Sequence, residues 1–339
     1  MLKNWRFWLG LLVSLCFLWL ALRGQDLRQV RRALGEADYR YLAPALLLYF
    51  AGVWVRALRW RHLLAPVRRL SARALYPVVV VGYMANDVLP WRLGEGVRAY
   101  ALRERAGVST GATLATIAVE RVFDGLTMLG FLLVASLFIG FNDQLRRLAL
   151  VATLIFGALL LALSVAVHSG DLRARALRLA ERLLPAAVGA RLLPPVESFV
   201  EGLQILRSWR DLAAVACLSV LAWTLESSMY LIIASAFRLS LGPAGALLTT
   251  GVANLATLIP SSPGYIGVFE AGVQLVLNGL LGVDKELALS YALVVHAALY
   301  FPVTAWGLYY WTRASLSWGA VRDLGEGAAA RHSPGAAID

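Results

Sequence analysis

Apolar residues along this chain gather into runs at roughly 5 to 22, 41 to 58, 112 to 140, 148 to 167, 212 to 236 and 287 to 311. A helix needs about 20 such residues to cross a hydrocarbon core, so each run predicts a membrane span. Two further apolar regions, about 74 to 95 and 244 to 282, are interrupted in the middle. The first contains Asn86-Asp87-Val88-Leu89-Pro90-Trp91-Arg92-Leu93-Gly94-Glu95, and the second Pro260-Ser261-Ser262-Pro263-Gly264-Tyr265-Ile266-Gly267-Val268-Phe269-Glu270. Proline and glycine free backbone groups that lipid cannot satisfy, so such breaks usually line a cavity. One interrupted segment in each half is also the sequence pointer to the binding site of a transporter built from repeats. The predicted fold is an all-α integral membrane protein with six to eight transmembrane helices and two broken or re-entrant helical segments. It forms one transmembrane domain over residues 1–315, followed by an aperiodic, disordered tail at 316–339.

Composition agrees with this. Of 339 residues, 59% are hydrophobic and 16% charged, whereas soluble domains lie near half apolar and a quarter charged. The first run ends in Ala21-Leu22-Arg23-Gly24-Gln25, without the small-x-small pattern of a cleaved signal, and so predicts an uncleaved span. The formal charge of +11 is carried almost wholly by arginine. In an apolar chain this speaks for anionic lipid surfaces and loop orientation, not for nucleic acid. Basic residues cluster after the second run (Arg56, Arg59, Arg61, Arg68, Arg69, Arg73) and between Asp171 and Asp211. The positive-inside rule places both clusters, and both termini of a multi-pass cell-membrane protein, in the cytoplasm. Residues 23–40 then form an outer loop. By that count the first broken region enters and leaves from the cytoplasm, and the second either dips from outside and returns, as an inverted-topology repeat would produce, or crosses fully on both sides of Pro260 with the same parity. Within 171–211, apolar residues recur at helical spacing opposite Arg and Glu. This predicts two amphipathic helices, lying on the cytoplasmic surface or packed on each other.

Charges inside apolar runs mark candidate chemistry, because each costs on the order of 2.5–3.5 kcal/mol at a helix centre unless partnered or wetted. Glu120, Arg121 and Asp124 share one run; Arg121 and Asp124 are spaced to pair, and Glu120 and Asp124 share a face. The ordinary explanation is a self-compensating ion pair; the functional one is the charged wall of a polar cavity. Arg92, Arg98 and Arg121 offer the planar donor fork that matches phosphate. Asn86 stands beside them, and Glu95 orients an arginine or takes an amine. At the second break Ser261 and Ser262 add hydroxyls, Gly264 admits backbone shapes closed to other residues, and a half-helix starting at Tyr265 or Ile266 would present free amides to an anion. Glu270 lies in its first turns, where a carboxylate also gains from the helix dipole. Glu226 and His296, each in mid-run, are proton-coupling candidates. Cys16 and Cys217 lack partners in sequence, and the four histidines lack ligand spacing, so neither a metal nor another cofactor is expected. P-loop and nucleophile-elbow motifs are absent, which argues against an enzyme of either class.

The two breaks and Glu120-Arg121-Val122-Phe123-Asp124 together resemble the membrane region of the lysylphosphatidylglycerol synthase family. Its pattern has an Asn-to-Pro segment followed by Arg-x-Gly-Glu, then Glu-Arg-x-x-Asp, then Pro-x-Ser-Pro-Gly-Gly-x-Gly-x-x-Glu. These correspond to Asn86–Glu95, Glu120–Asp124 and Pro260–Glu270, with Tyr265 standing where the second glycine is common. The resemblance implies lipid translocation, with an anionic phospholipid or a polyprenyl-linked lipid as partner. Arg92, Arg98 and Arg121 would hold phosphate, and Glu95, Asp124 and Glu270 would hold amine or protons. It leaves room for a membrane-embedded transferase or accessory subunit, a proton-coupled solute transporter, a homo-oligomer, or a partner lipid-modifying enzyme. The soluble aminoacyl-transfer domain of two-part members is not expected here.

Overall fold

The computed structural model describes residues 5–89, 93–141, 143–168, 198–259 and 261–313. Among these the regular structure is helical: α1 (Trp5–Leu22), α2 (Leu27–Glu36), α3 (Leu42–Leu64), α4 (Ala72–Val88), α5 (Gly94–Ala106), α6 (Thr110–Ser136), α7 (Asp143–His168), α8 (Trp209–Ala236), α9 (Pro243–Ala256), α10 (Val268–Leu277) and α11 (Lys285–Arg313). Three segments, Tyr39–Leu64, Trp209–Ala236 and Lys285–Arg313, are long and apolar enough to cross a membrane by length and composition alone. Large apolar side chains such as Leu47, Leu133, Phe138, Leu154 and Phe301 point outward. That outward face is what a lipid-embedded protein presents.

Both breaks fold as helical hairpins. At 1.5 Å per residue, α5, α9 and α10 span roughly 20, 21 and 15 Å, short of a hydrocarbon core of about 30 Å. Each instead packs back on its neighbour, α5 on α4 and α10 on α9. Helix α4 stops at Val88 because Leu89 precedes Pro90 and turns extended (φ −96°, ψ 143°). Asn86 Oδ1 then accepts the Gly94 amide at 2.9 Å, capping α5 across the break. Gly94 lies so close to Gly82 that a Cβ there would stand 2.1 Å from the Gly82 carbonyl oxygen. In the second hairpin, Gly264 (φ 72°), Tyr265 (φ 59°) and Gly267 (φ 87°) all take left-handed or related conformations. These turn the chain before α10 begins at Val268, later than the sequence reading of Tyr265 or Ile266.

The halves repeat one plan: a long helix, a hairpin, a long helix. Helices α3, α4, α5 and α6 correspond to α8, α9, α10 and α11, and the packing obeys that exchange. The hairpin arm α4 packs on α11 of the other half, and α9 on α6. The two leading helices α3 and α8 run antiparallel: Asp38 N–H meets the Ala236 carbonyl at 3.0 Å at one end, and His62 lies 3.7 Å from Asp211 at the other. Hence the halves run in opposite senses, as the opposed breaks predict.

Three expectations change. Arg56 and Arg59 belong to no loop; they sit inside α3 and are buried, so the first basic cluster loses two members. Residues 23–40 contain a helix, α2, started by Asp26, whose Oδ1 accepts the Arg28 amide at 2.9 Å. The end of the 171–211 segment does not lie on a surface: Leu203, Ile205 and Leu206 form a buried 3₁₀ turn against α6, α7 and α8. The rest of that segment to residue 197, and the predicted tail, lie outside the described residues.

Candidate functional site

The two hairpin tips meet. The hydroxyl of Tyr300 on α11 reaches the Asp87 carbonyl at 3.4 Å, Thr304 donates to Asp87 Oδ2 at 2.8 Å, and a Cβ on Gly264 would lie 3.5 Å from the Asp87 carbonyl oxygen. Beside this junction is a cavity of about 160 Å³, walled by residues of α3 to α6, α8 to α11 and the second break. Six aromatic rings face it: Tyr49, Tyr83, Trp223, Tyr265, Phe269 and Tyr300.

Charge on the wall is organised by a buried network behind it. Arg98 grips Glu120 with both fork nitrogens, at 2.9 and 3.1 Å, while its guanidinium lies 4.1 Å over Trp60. Arg59 donates to Asp124 at 2.5 Å and to Ser219 Oγ at 2.8 Å, and its other nitrogen is 3.4 Å from Glu120. The indole of Trp223 adds a bond to Asp124 at 2.8 Å. Arg121 leans from this cluster into the cavity, 3.2 Å from Glu120, 3.4 Å from Asp124 and 3.7 Å from Glu95. A separate pair, Arg56 and Glu226, closes at 2.8 Å with Arg56 lying 4.4 Å over Trp223. The ordinary reading of a self-compensating pair within α6 is therefore too local, because the partners come from α3 and α5. In a low-dielectric interior such charges persist only when paired and hydrogen-bonded.

On the wall itself, described guanidiniums number two, Arg56 and Arg121, against four carboxylates: Asp87, Glu95, Asp124 and Glu226. Arg59, Arg98 and Arg121 balance Glu95, Glu120 and Asp124, and Arg56 balances Glu226. Asp87 remains; among the described residues no cation lies within ion-pair distance of it.

Of the sequence candidates, Asn86, Glu95, Arg121, Asp124, Glu226, Gly264 and His296 line the cavity. Arg98 and Glu120 stand behind the wall and hold Arg121 and Asp124 in place. Glu270 is buried as well, capping the Gly267 amide at 2.7 Å and meeting His296 at 2.5 Å. The amide at the start of α10 is thus already covered by the chain's own carboxylate. Ser262 faces α1, its amide donating to Ser14 Oγ at 2.7 Å, and Ser261 Oγ is buried without a hydrogen-bond partner among the described residues. Neither lines the cavity. Arg92 lies outside the described residues. Sequence reasoning missed the pocket roles of Arg56 and Asp87 and the aromatic lining. The signal for Asp87 was present, as an acid one residue from a break; the rings come from six separate elements and have no common motif. Among the described residues no cluster of three or more His, Cys, Asp or Glu side chains is placed to hold a metal.

Opposed helical hairpins closing on a charged, aromatic cavity inside an apolar helical body define a hairpin-containing, all-α membrane protein. Residues 7–307 match the model of the lysylphosphatidylglycerol synthase TM region, and the chain belongs to that family. It is 28% identical over 324 residues to a glycosyltransferase, AglD, of Haloferax volcanii, covering 85% of this chain and 51% of that protein. The chain thus spans about half the length of that relative. It is also 26% identical to a UPF0104 membrane protein of Methanothermobacter thermautotrophicus, with 83% of this chain and 86% of the relative covered. A UPF0104 membrane protein of Methanocaldococcus jannaschii is 22% identical, with 66% and 90% covered.

Proposed function

We propose that this protein moves a lipid between leaflets of the cell membrane, passing the polar headgroup through the cavity while the acyl or prenyl chains stay in the bilayer. The observation that carries the reading is the polar cavity at the junction of two hairpin tips, within a body whose outer surface is apolar. A headgroup needs both polar contacts and an exit to lipid; a soluble solute needs only the first. Arg121, held by three carboxylates yet one-third exposed, is the donor for a phosphate. Asp87, which has no cation within ion-pair distance among the described residues and shares the cavity with Tyr49, Tyr83, Tyr265 and Tyr300, receives a positively charged group, with cation–π attraction adding about 0.5–2 kcal/mol. A headgroup bearing both phosphate and amine satisfies both ends.

The test is leaflet exchange of fluorescent lipids in proteoliposomes, comparing ethanolamine, glycerol and polyprenyl-phosphate headgroups. Exchange is expected to be fastest for the amine-bearing lipid. Asp87→Asn, which keeps the bond from Thr304, is expected to slow that lipid by about tenfold, the equivalent of about 1.4 kcal/mol, while glycerol-headed lipid changes little. No exchange for any of the three lipids would end the flippase reading. A second reading, a membrane-embedded transferase or accessory subunit acting on a lipid-linked substrate, is supported by the name of the Haloferax relative. Product formation from a lipid-linked sugar donor would favour it.

A further inference from the structure

His296 makes two contacts that one neutral imidazole cannot satisfy. Its Nδ1 lies 2.5 Å from Glu270 Oε1, and its Nε2 lies 2.7 Å from the Gly264 carbonyl oxygen. The Gly264 carbonyl can only accept, and Glu270, whose other oxygen receives the Gly267 amide at 2.7 Å, offers a hydrogen from Oε1 only when it is itself protonated. A hydrogen is therefore needed on each side of the ring. Neutral histidine carries one ring hydrogen and an ionised glutamate none. One contact would then set two lone pairs face to face at hydrogen-bonding distance. The observed geometry holds one proton more than that, shared between His296 and Glu270.

That extra proton fastens a strained turn. Gly264 and Tyr265 both have positive φ, and for a residue with a Cβ the left-handed conformation costs roughly 1–2 kcal/mol. The His296 bond to Gly264 ties this turn to α11, next to the point where Tyr300 and Thr304 tie Asp87 of the first hairpin to the same helix. One face of α11 thus holds both tips. His296 also lines the cavity, so its proton has a route in and out.

The groups around the imidazole are few. Glu270 faces it from α10, Asp87 from α4, Tyr300 from its own helix with ring centroids 6.3 Å away, and Tyr265 from the turn. Across the cavity stand Tyr49, Tyr83 and the mutually paired Arg56 and Glu226. Phe269, with its centroid 4.7 Å away, covers one face of the ring.

We propose that His296 and Glu270 form a proton-binding site whose loss of the proton releases the Gly264–Tyr265 turn from α11 and parts the two hairpin tips. Resting on the lipid-translocation reading, this makes the proton the coupling ion of the cycle. The proton-bound state is closed at the tips; the proton-free state is open.

The test places spin labels at Val88 and Ile266, both exposed at the tips, after replacing the exposed Cys16 and Cys217 by alanine. Label–label distance is then measured in the full-length protein in nanodiscs as pH is raised stepwise from acid to alkaline. A longer component that grows with rising pH is expected. In His296→Gln the distribution is expected to be pH-independent. In Glu270→Gln the side-chain amide supplies the missing hydrogen, so the short distance should persist at every pH. A wild-type distribution that ignores pH, or a variant that follows pH as the wild type does, overturns the proposal. Lipid exchange is measured in parallel on the same samples. Tip distances that follow pH through His296 with no exchange of any lipid would refute translocation and leave the proton site standing; exchange with pH-independent tips would refute the proton site alone.

Discussion

At the scale of single residues, the most consequential group is Glu120, which never reaches the cavity. It is 1% exposed and is approached by Arg59, Arg98 and Arg121. Removing it would leave buried guanidiniums uncompensated, so Glu120→Ala is expected to destabilise the fold by about 3–5 kcal/mol. Denaturation in detergent would measure this. Adding Arg98→Met should cost less than the sum of the single losses, because one orphaned charge is then removed. Additive losses would show that the two side chains do not interact. Tyr265 offers a sharper contrast. Its φ of 59° favours glycine, so Tyr265→Gly should be more stable than Tyr265→Ala by about 1 kcal/mol. In an ordinary helix the order is reversed. The pair isolates backbone strain, since both substitutions remove the ring.

At the scale of elements, the first hairpin depends on a close approach that its sequence states in one letter. A Cβ on Gly94 would strike the Gly82 carbonyl and the Asn86 side chain, whereas one on Gly96, two residues on, would meet nothing within 4 Å. Gly94→Ala is therefore expected to destabilise the protein clearly, and Gly96→Ala to be neutral or mildly stabilising. Equal melting temperatures for the two would remove the close approach from the account. The same hairpin shows how much was legible beforehand. The six long runs became α1, α3, α6, α7, α8 and α11 because twenty apolar residues have few other fates, and the breaks became tips because proline and glycine interrupt helices predictably. The site was legible only in part. Arg56 and Arg59 read as loop charges because a basic cluster at the end of an apolar run usually is one; that their carboxylate partners lie 170 and 65 residues away is visible only after folding. Helix α2 was missed because polar residues dominate it and only Val30 is buried. The start of α10 was misplaced by two to three residues because nothing in sequence distinguishes a left-handed Tyr265 from a helical one.

At the scale of the whole molecule, the repeat is interlocked: each half's hairpin packs on the other half's closing helix, α4 on α11 and α9 on α6. Chains emerge from the ribosome in order, and units that are complete fold first. Here the first unit is not complete when it has been made. The arm α4 carries Asp87, Asn86 and Tyr83, yet the surface that receives it, with Tyr300, Thr304 and Gly307, lies more than two hundred residues downstream. Until α11 is inserted, the first hairpin holds Asp87 in an apolar medium without the Thr304 hydroxyl that it accepts from. Biogenesis of this protein should therefore pass through a stage at which its first hairpin is shielded by an insertase or waits at the membrane interface. A chain ended at residue 284 is expected to be cleaved by protease within 74–95, while the full chain is protected there. Comparable protection in both would mean that the early half matures on its own.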